Sequence, residues 1–255
     1  MKSAPALILF AFASTLGACS PAKPVSPDQS AAIAAPPPTQ SIATQNAETI
    51  RKDPHLGASL NVLASIYPQD YGRHIASLDA AIQPGMSSAQ IWTLSSDNMS
   101  AIVASKRHNI AHAPDQSLVG YLALQLQLAL SLRENDPAGC DAVFKRLITP
   151  EMQLSLRSRE LMGDMGASLL RAAKAGELHP VQREGLVVVD LRAWGQQMLQ
   201  DGGTPQMLNL LDDPALRAAA AAEDLCQLRV VMFTAASHLP APLAAKIVAA
   251  QTSKL

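Results

Sequence analysis

Beyond residue 43, apolar side chains recur every three or four residues, the spacing that gathers them on one face of an α-helix. Leu154, Leu161, Met165, Leu169 and Ala172 form one such stripe. Val187, Leu191, Trp194 and Met198 form a second, and Ala221, Leu225, Leu228, Met232 and Ala235 a third. Polar punctuation separates the stripes. A capping-type residue followed by proline occurs at Asp53-Pro54, Asp136-Pro137, Thr149-Pro150, Thr204-Pro205 and Asp213-Pro214. Proline at the first helical position gives up nothing, because its missing N–H would be unpaired there, and the Asp or Thr before it caps the first turn. His179-Pro180 is a weaker sixth start. The pattern predicts helices near 43–52, 54–66, 69–83, 87–110, 115–134, 137–147, 150–175, 180–201, 205–211, 214–238 and 241–252, with Ser95-Ser96-Asp97 as a place where the fourth divides.

Two stretches compete with this reading. Leu122 to Leu132 (LALQLQLALSL) places Leu at alternate positions, a strand pattern taken literally. Its residues are helix formers, however, and the segment from Asp115 to Arg133 is long for a strand, so a central helix, apolar nearly all round, is expected. Leu186-Val187-Val188-Val189 is more strand-like, yet it lies on the stripe that continues to Met198. No convincing internal repeat occurs at helical-repeat spacings. The expected fold is all-α: an irregular multi-helix bundle of about ten helices, forming a single domain over 43–255.

Composition agrees. Of the 255 residues 48% are hydrophobic but only 4% aromatic, so the apolar excess is Ala, Leu, Met and Val, and the bulk leans helical. Formal net charge is −1 and the longest basic runs are pairs such as Lys106-Arg107 and Lys145-Arg146. That excludes the electrostatic footprint of a nucleic-acid binder.

The first nineteen residues read differently. Met1-Lys2 gives a short positive start, and Ala4 to Thr15 is an apolar run of export-signal length, too short for a stable membrane span. Leu16-Gly17-Ala18-Cys19 follows at once. This resembles the lipobox of bacterial lipoproteins: an aliphatic residue, two small residues, then cysteine. The resemblance implies a signal peptide over 1–18, cleavage before Cys19, a diacylglycerol on its thiol and acylation of the new amino group. Two or three acyl chains give durable anchoring where one gives only marginal binding. Ser20, standing where an aspartate would favour inner-membrane retention, implies an outer-membrane protein facing the periplasm. From 19 to 42 the chain is rich in Pro, Ala and Ser without apolar periodicity, which reads as a lipidated, disordered tether.

Candidate chemistry in the remainder is sparse. With Cys19 lipidated, Cys140 and Cys226 are an even pair in an oxidising compartment, so a disulfide is expected, with a small buried hydrophobe as the alternative at Cys226. His108 and His112 stand i, i+4 and are weak metal candidates, with Asp115 as a third ligand. Asn109 replaces the glutamate that a zinc hydrolase needs there, and histidines at a helix C-terminus also suit the dipole. Glu160 and Asp164 offer a carboxylate pair for glycosidic acid–base work, against a solvated face shared with Arg157 and Arg159. Gly163 and Gly166 read as sites of close helix packing. Tyr67 and Tyr71 flank a turn, either as core aromatics or as a partner-binding cluster. No nucleophile elbow, phosphate loop, dinucleotide fingerprint or calcium loop occurs, and no cofactor is expected. These features point to a lipid-anchored envelope protein, non-enzymatic, that binds or scaffolds other envelope components. A cell-wall or lipid-directed hydrolase is the alternative.

Overall fold

The computed structural model describes residues 48–83, 85–145, 148–149 and 152–254. The lipobox Leu16–Cys19 and the segment expected as a tether lie outside them. Among the described residues twelve helices have both ends defined: α1 (Gly57–Ile66), α2 (Pro68–Ala81), α3 (Ser88–Ser105), α4 (Arg107–Ala111), α5 (Asp115–Asn135), α6 (Cys140–Lys145), α7 (Leu156–Leu178), α8 (Val188–Gln200), α9 (Pro205–Asp212), α10 (Pro214–Ala219), α11 (Ala222–His238) and α12 (Ala241–Thr252). A 3₁₀ turn at Pro137–Gly139 precedes α6. No strand occurs among the described residues. The chain is all-α, as its pattern predicts.

The capping logic holds at several starts. Asp53 Oδ1 accepts from the amides of His55 and Leu56, closing the turn that leads into α1. Ser87 and Gln90 form a reciprocal capping box on α3. Thr204 caps α9, and Asp213 accepts from Ala215 and Leu216 at the head of α10.

Elsewhere long-range contacts override local signals. The helix expected from 150 begins at Leu156 instead. Asp136, expected to cap its own helix, turns its carboxylate to the distant Ser155 amide at 2.9 Å and to the Ser155 and Ser158 hydroxyls at 2.8 and 2.7 Å. That bridge fixes where α7 starts. The helix expected from 180 begins at Val188, because residues 180–187 are held extended against the α4–α5 corner. The Val181 amide donates to His112 O at 2.8 Å, and Arg183 donates to the carbonyls of Ala111 and Ala113 and to Asp115. The expected helix 87–110 runs unbroken through Ser95-Ser96-Asp97 and divides at Lys106 instead. Likewise 214–238 divides at Ala220.

Helix α5 is central. It packs on α7 along one side and on α11 and α12 along the other. Its buried seam comprises Leu118, Tyr121, Leu122, Gln125, Leu128, Ala129 and Leu132. Ala123, Gln127 and Leu130 face water, so this largely apolar helix is not buried all round. Helix α7 also crosses α1 and α4, and small residues permit both crossings. Gly163 O accepts from the Ser59 hydroxyl at 3.0 Å, and a Cβ on Gly163 would lie 2.7 Å from Pro54 O. A Cβ on Gly166 would likewise run into the Ser59 hydroxyl, so both glycines permit close packing, as expected.

Buried apolar residues separate into three clusters. The largest joins α1, α3, α4, α5, α7, α11 and α12 around Leu63, Ile110, Leu170 and Phe233. A second surrounds Cys140 and Cys226. The third packs α8 and α9 on α11 through Met198, Leu228 and Val231.

Candidate functional site

The three clusters do not close on one another. Between them lies a cavity of about 1210 Å³. Its floor is α5 and α7, through Tyr121, Gln125, Leu128, Met162, Met165 and Leu169. Its walls are α3 (Met99, Val103), α8 (Trp194, Met198), α11 (Met232, Phe233) and α12 (Ile247, Gln251). Five of the chain's nine methionines line it: Met99, Met162, Met165, Met198 and Met232. Methionine is unbranched and polarizable and adapts to irregular apolar partners. The cavity opens to water past Asp97, Val188, Arg192, Asp212 and Lys254. Val188 and Leu191 at this mouth are 70% and 49% exposed, so the rim is itself partly apolar.

Size decides what this space is. Protein interiors pack at the density of organic crystals, and their residual voids scarcely exceed a water molecule. This space is far larger than such a void, and because it opens to water it is a cleft that solvent or a ligand can enter. Its size exceeds the roughly 300–1,000 Å³ typical of drug-sized ligands.

The polar groups of the lining are mostly spent on the protein. Ser59 donates to Gly163, Thr252 Oγ1 to Val248 O, and Trp194 Nε1 to Met232 O at 3.1 Å. His55 packs edge-on against Trp92, ring centroids 5.1 Å apart. Burial drives the His55 pKa down to about 4, against the opposing pull of Asp53. His74, buried beneath α3 with Nε2 3.2 Å from Ser95 Oγ, is lowered by burial too. A histidine depressed in the folded state binds fewer protons there than in the unfolded chain. The stability it confers is therefore complete above pH 6.5 and is lost as pH falls toward 4. Urea unfolding at pH 5 should show about 2 kcal/mol less stability than at pH 7.5 from His55 alone, and His55→Gln should remove that share of the slope. Equal slopes in the two proteins would contradict the assignment.

The sequence candidates lie away from the cavity. His108 and His112 stack on each other at the end of α4, centroids 4.3 Å apart, and His112 Nδ1 is 2.8 Å from His108 O. Asp115 is engaged by Arg183. Among the described residues no three His, Cys, Asp or Glu side chains group to hold a metal. Glu160 and Asp164 border a common shallow hollow of about 390 Å³ with Arg51, Asp53 and Arg157. Both are exposed, whereas an acid–base pair needs surroundings that set the two carboxyls apart. Cys140 and Cys226 are fully buried and stand at disulfide distance, Cα to Cα 5.5 Å.

Tyr67 and Tyr71 belong to the core side of their turn. Tyr67 also anchors a charged cluster that no local pattern announced. Its hydroxyl donates to Glu177 at 2.7 Å, and Lys106 Nζ sits 3.8 Å over its ring and 2.6 Å from Asp70. Burial, then the Glu177 hydrogen bond, push the phenol far above its ordinary range. Burial would raise Asp70 and Glu177, but Lys106 and Arg73 hold the first low, as Tyr67 and Lys174 do the second. These charges are mutually satisfied and join α2, α4 and α7, which makes the cluster a clamp.

No described helix is long and apolar enough to cross a membrane. No protein-family model, curated protein or solved structure matches the chain, so the cavity has to be interpreted from its own chemistry.

Proposed function

We propose that this chain is a lipid-anchored envelope protein, acylated at Cys19 and facing the periplasm, whose helical domain is a non-enzymatic binding module for an apolar ligand. The single observation that carries the binding role is the Met-lined cavity of about 1210 Å³ where the three core clusters meet. Its size, apolar wall and partly apolar mouth suit a long-chain or polycyclic hydrophobe. The anchor supports the same reading, since the lipobox Leu16–Cys19 would hold the domain beside a source of such molecules. The membrane is then the first partner, through the acyl chains on Cys19.

Two measurements test it. Metabolic labelling with an alkyne-bearing palmitate should tag the wild-type chain and not Cys19→Ala; an unlabelled wild type would remove the anchor. Fluorescence titration of the purified full chain with N-phenyl-1-naphthylamine should give saturable binding. Met165→Trp, which fills the cavity from its floor, should weaken that binding at least tenfold. Binding of equal strength in the variant, or none in the wild type, would overturn the binding role.

A further inference from the structure

We infer that the ligand carries a neutral hydrogen-bonding group, a hydroxyl or an amide, on its apolar body, and that this group meets the side-chain amide of Gln125. The inference rests on the cavity being a binding site and adds the chemistry of what fills it. Gln125 sits in the middle of the α5 seam, one turn from Tyr121 and from Leu128, where every other buried residue but Ser131 is apolar or aromatic. It is 8% exposed, and its Oε1 is shut away from solvent with no hydrogen-bond partner. Gln251 of α12, also on the cavity wall, has a second buried Oε1 without a partner. An unsatisfied buried amide destabilises the fold, a loss that a leucine at either position would not incur. A glutamine amide both donates and accepts, and rotation about its last bond exchanges the two ends. A ligand hydroxyl or amide answers either orientation.

The charges around the site argue against an ionised head in the interior. The basic side chains of the lining are Arg192, Arg229 and Lys254. Arg192 and Lys254 are exposed at the mouth, where Asp97 and Asp212 offset them. Arg229 is half-buried and already has an interaction of its own. His55, the histidine of the lining, is kept neutral by burial at ordinary pH. A carboxylate or phosphate drawn down to Gln125 would have to take Arg229 from the interaction it already makes, a cost that a neutral polar group does not incur.

The test is displacement of N-phenyl-1-naphthylamine from the full chain by three competitors of one chain length: hexadecan-1-ol, 1-methoxyhexadecane and hexadecanoate. The alcohol should displace the probe at about tenfold lower concentration than the ether in the wild type, one donated hydrogen bond's worth of selectivity. With competitor potencies normalised to each protein's own affinity for the probe, Gln125→Leu should lose that preference. Equal displacement by alcohol and ether in the wild type, a preference that survives Gln125→Leu, or stronger displacement by hexadecanoate at pH 8 would overturn the inference while leaving the binding role intact. Failure of the wild type to bind the probe at all would overturn both.

Discussion

Reduction of the Cys140–Cys226 pair is expected to lower the melting temperature of the folded domain by roughly 10–15 °C. The two cysteines are 86 residues apart in sequence, and crosslinking a loop of that length removes about 4–5 kcal/mol of chain entropy from the unfolded state. The pair ties the 3₁₀ turn and α6 to α11 across the second core cluster, where Leu128, Leu132 and Leu161 surround it. Both sulfurs are fully buried, so strong reductant should act only as the domain opens. Calorimetry with and without dithiothreitol, beside thiol titration in denaturant, reads the effect. Two additional thiols should appear only after reduction. Their appearance without reductant, or an unchanged melting temperature, would show that the crosslink is not formed.

Gly176→Ala should be nearly as damaging, at about 3 kcal/mol, although the change is a single methyl group. A Cβ there would lie 2.0 Å from Asn109 O and 3.1 Å from the Ala113 amide nitrogen, both backbone atoms of the α4 corner. Backbone cannot step aside as a side-chain tip does, so α4 and α7 must separate. That would strain the Asn109–Glu177 hydrogen bond and the Tyr67 clamp beside it. Gly195→Ala is the control of opposite sign. It lies inside α8 with nothing within 4 Å of its added carbon, and alanine in a helix interior is favoured by about 0.5–1 kcal/mol. Urea unfolding of the two variants should therefore move in opposite directions. A loss below 0.5 kcal/mol for Gly176→Ala would mean that the crossing is looser than described.

Most of the helices were legible because their signals are local. Thr204-Pro205 and Asp213-Pro214 predict starts that their own side chains cap, and the Leu-rich seam of α5 declares itself. What the pattern misplaced depends on residues far away in sequence. Nothing near Ser155 reveals that Asp136 will set the start of α7, and nothing near Pro180 reveals that Ala111 and Ala113 will bind Arg183 and keep the next turns extended. The cysteine pair, expected from an even count and an oxidising compartment, stands at disulfide distance, while the Tyr67 clamp joins positions as far apart as 67 and 177 and left no trace. The cavity was the least visible feature, since it exists only where helices from many separate parts of the chain fail to close. Two signals pointed toward it in retrospect. One is a glutamine in the middle of an apolar seam; the other is the apolar run at 186–191, which the structure leaves partly exposed at the mouth.

The most direct measurement is the mass of the folded chain under native spray conditions after incubation with hexadecan-1-ol. One saturating adduct per chain is expected for the wild type and none for Met165→Trp at the same ligand concentration. No adduct on the wild type, or the same adduct on both proteins, would show that the space between the three clusters is not a ligand site.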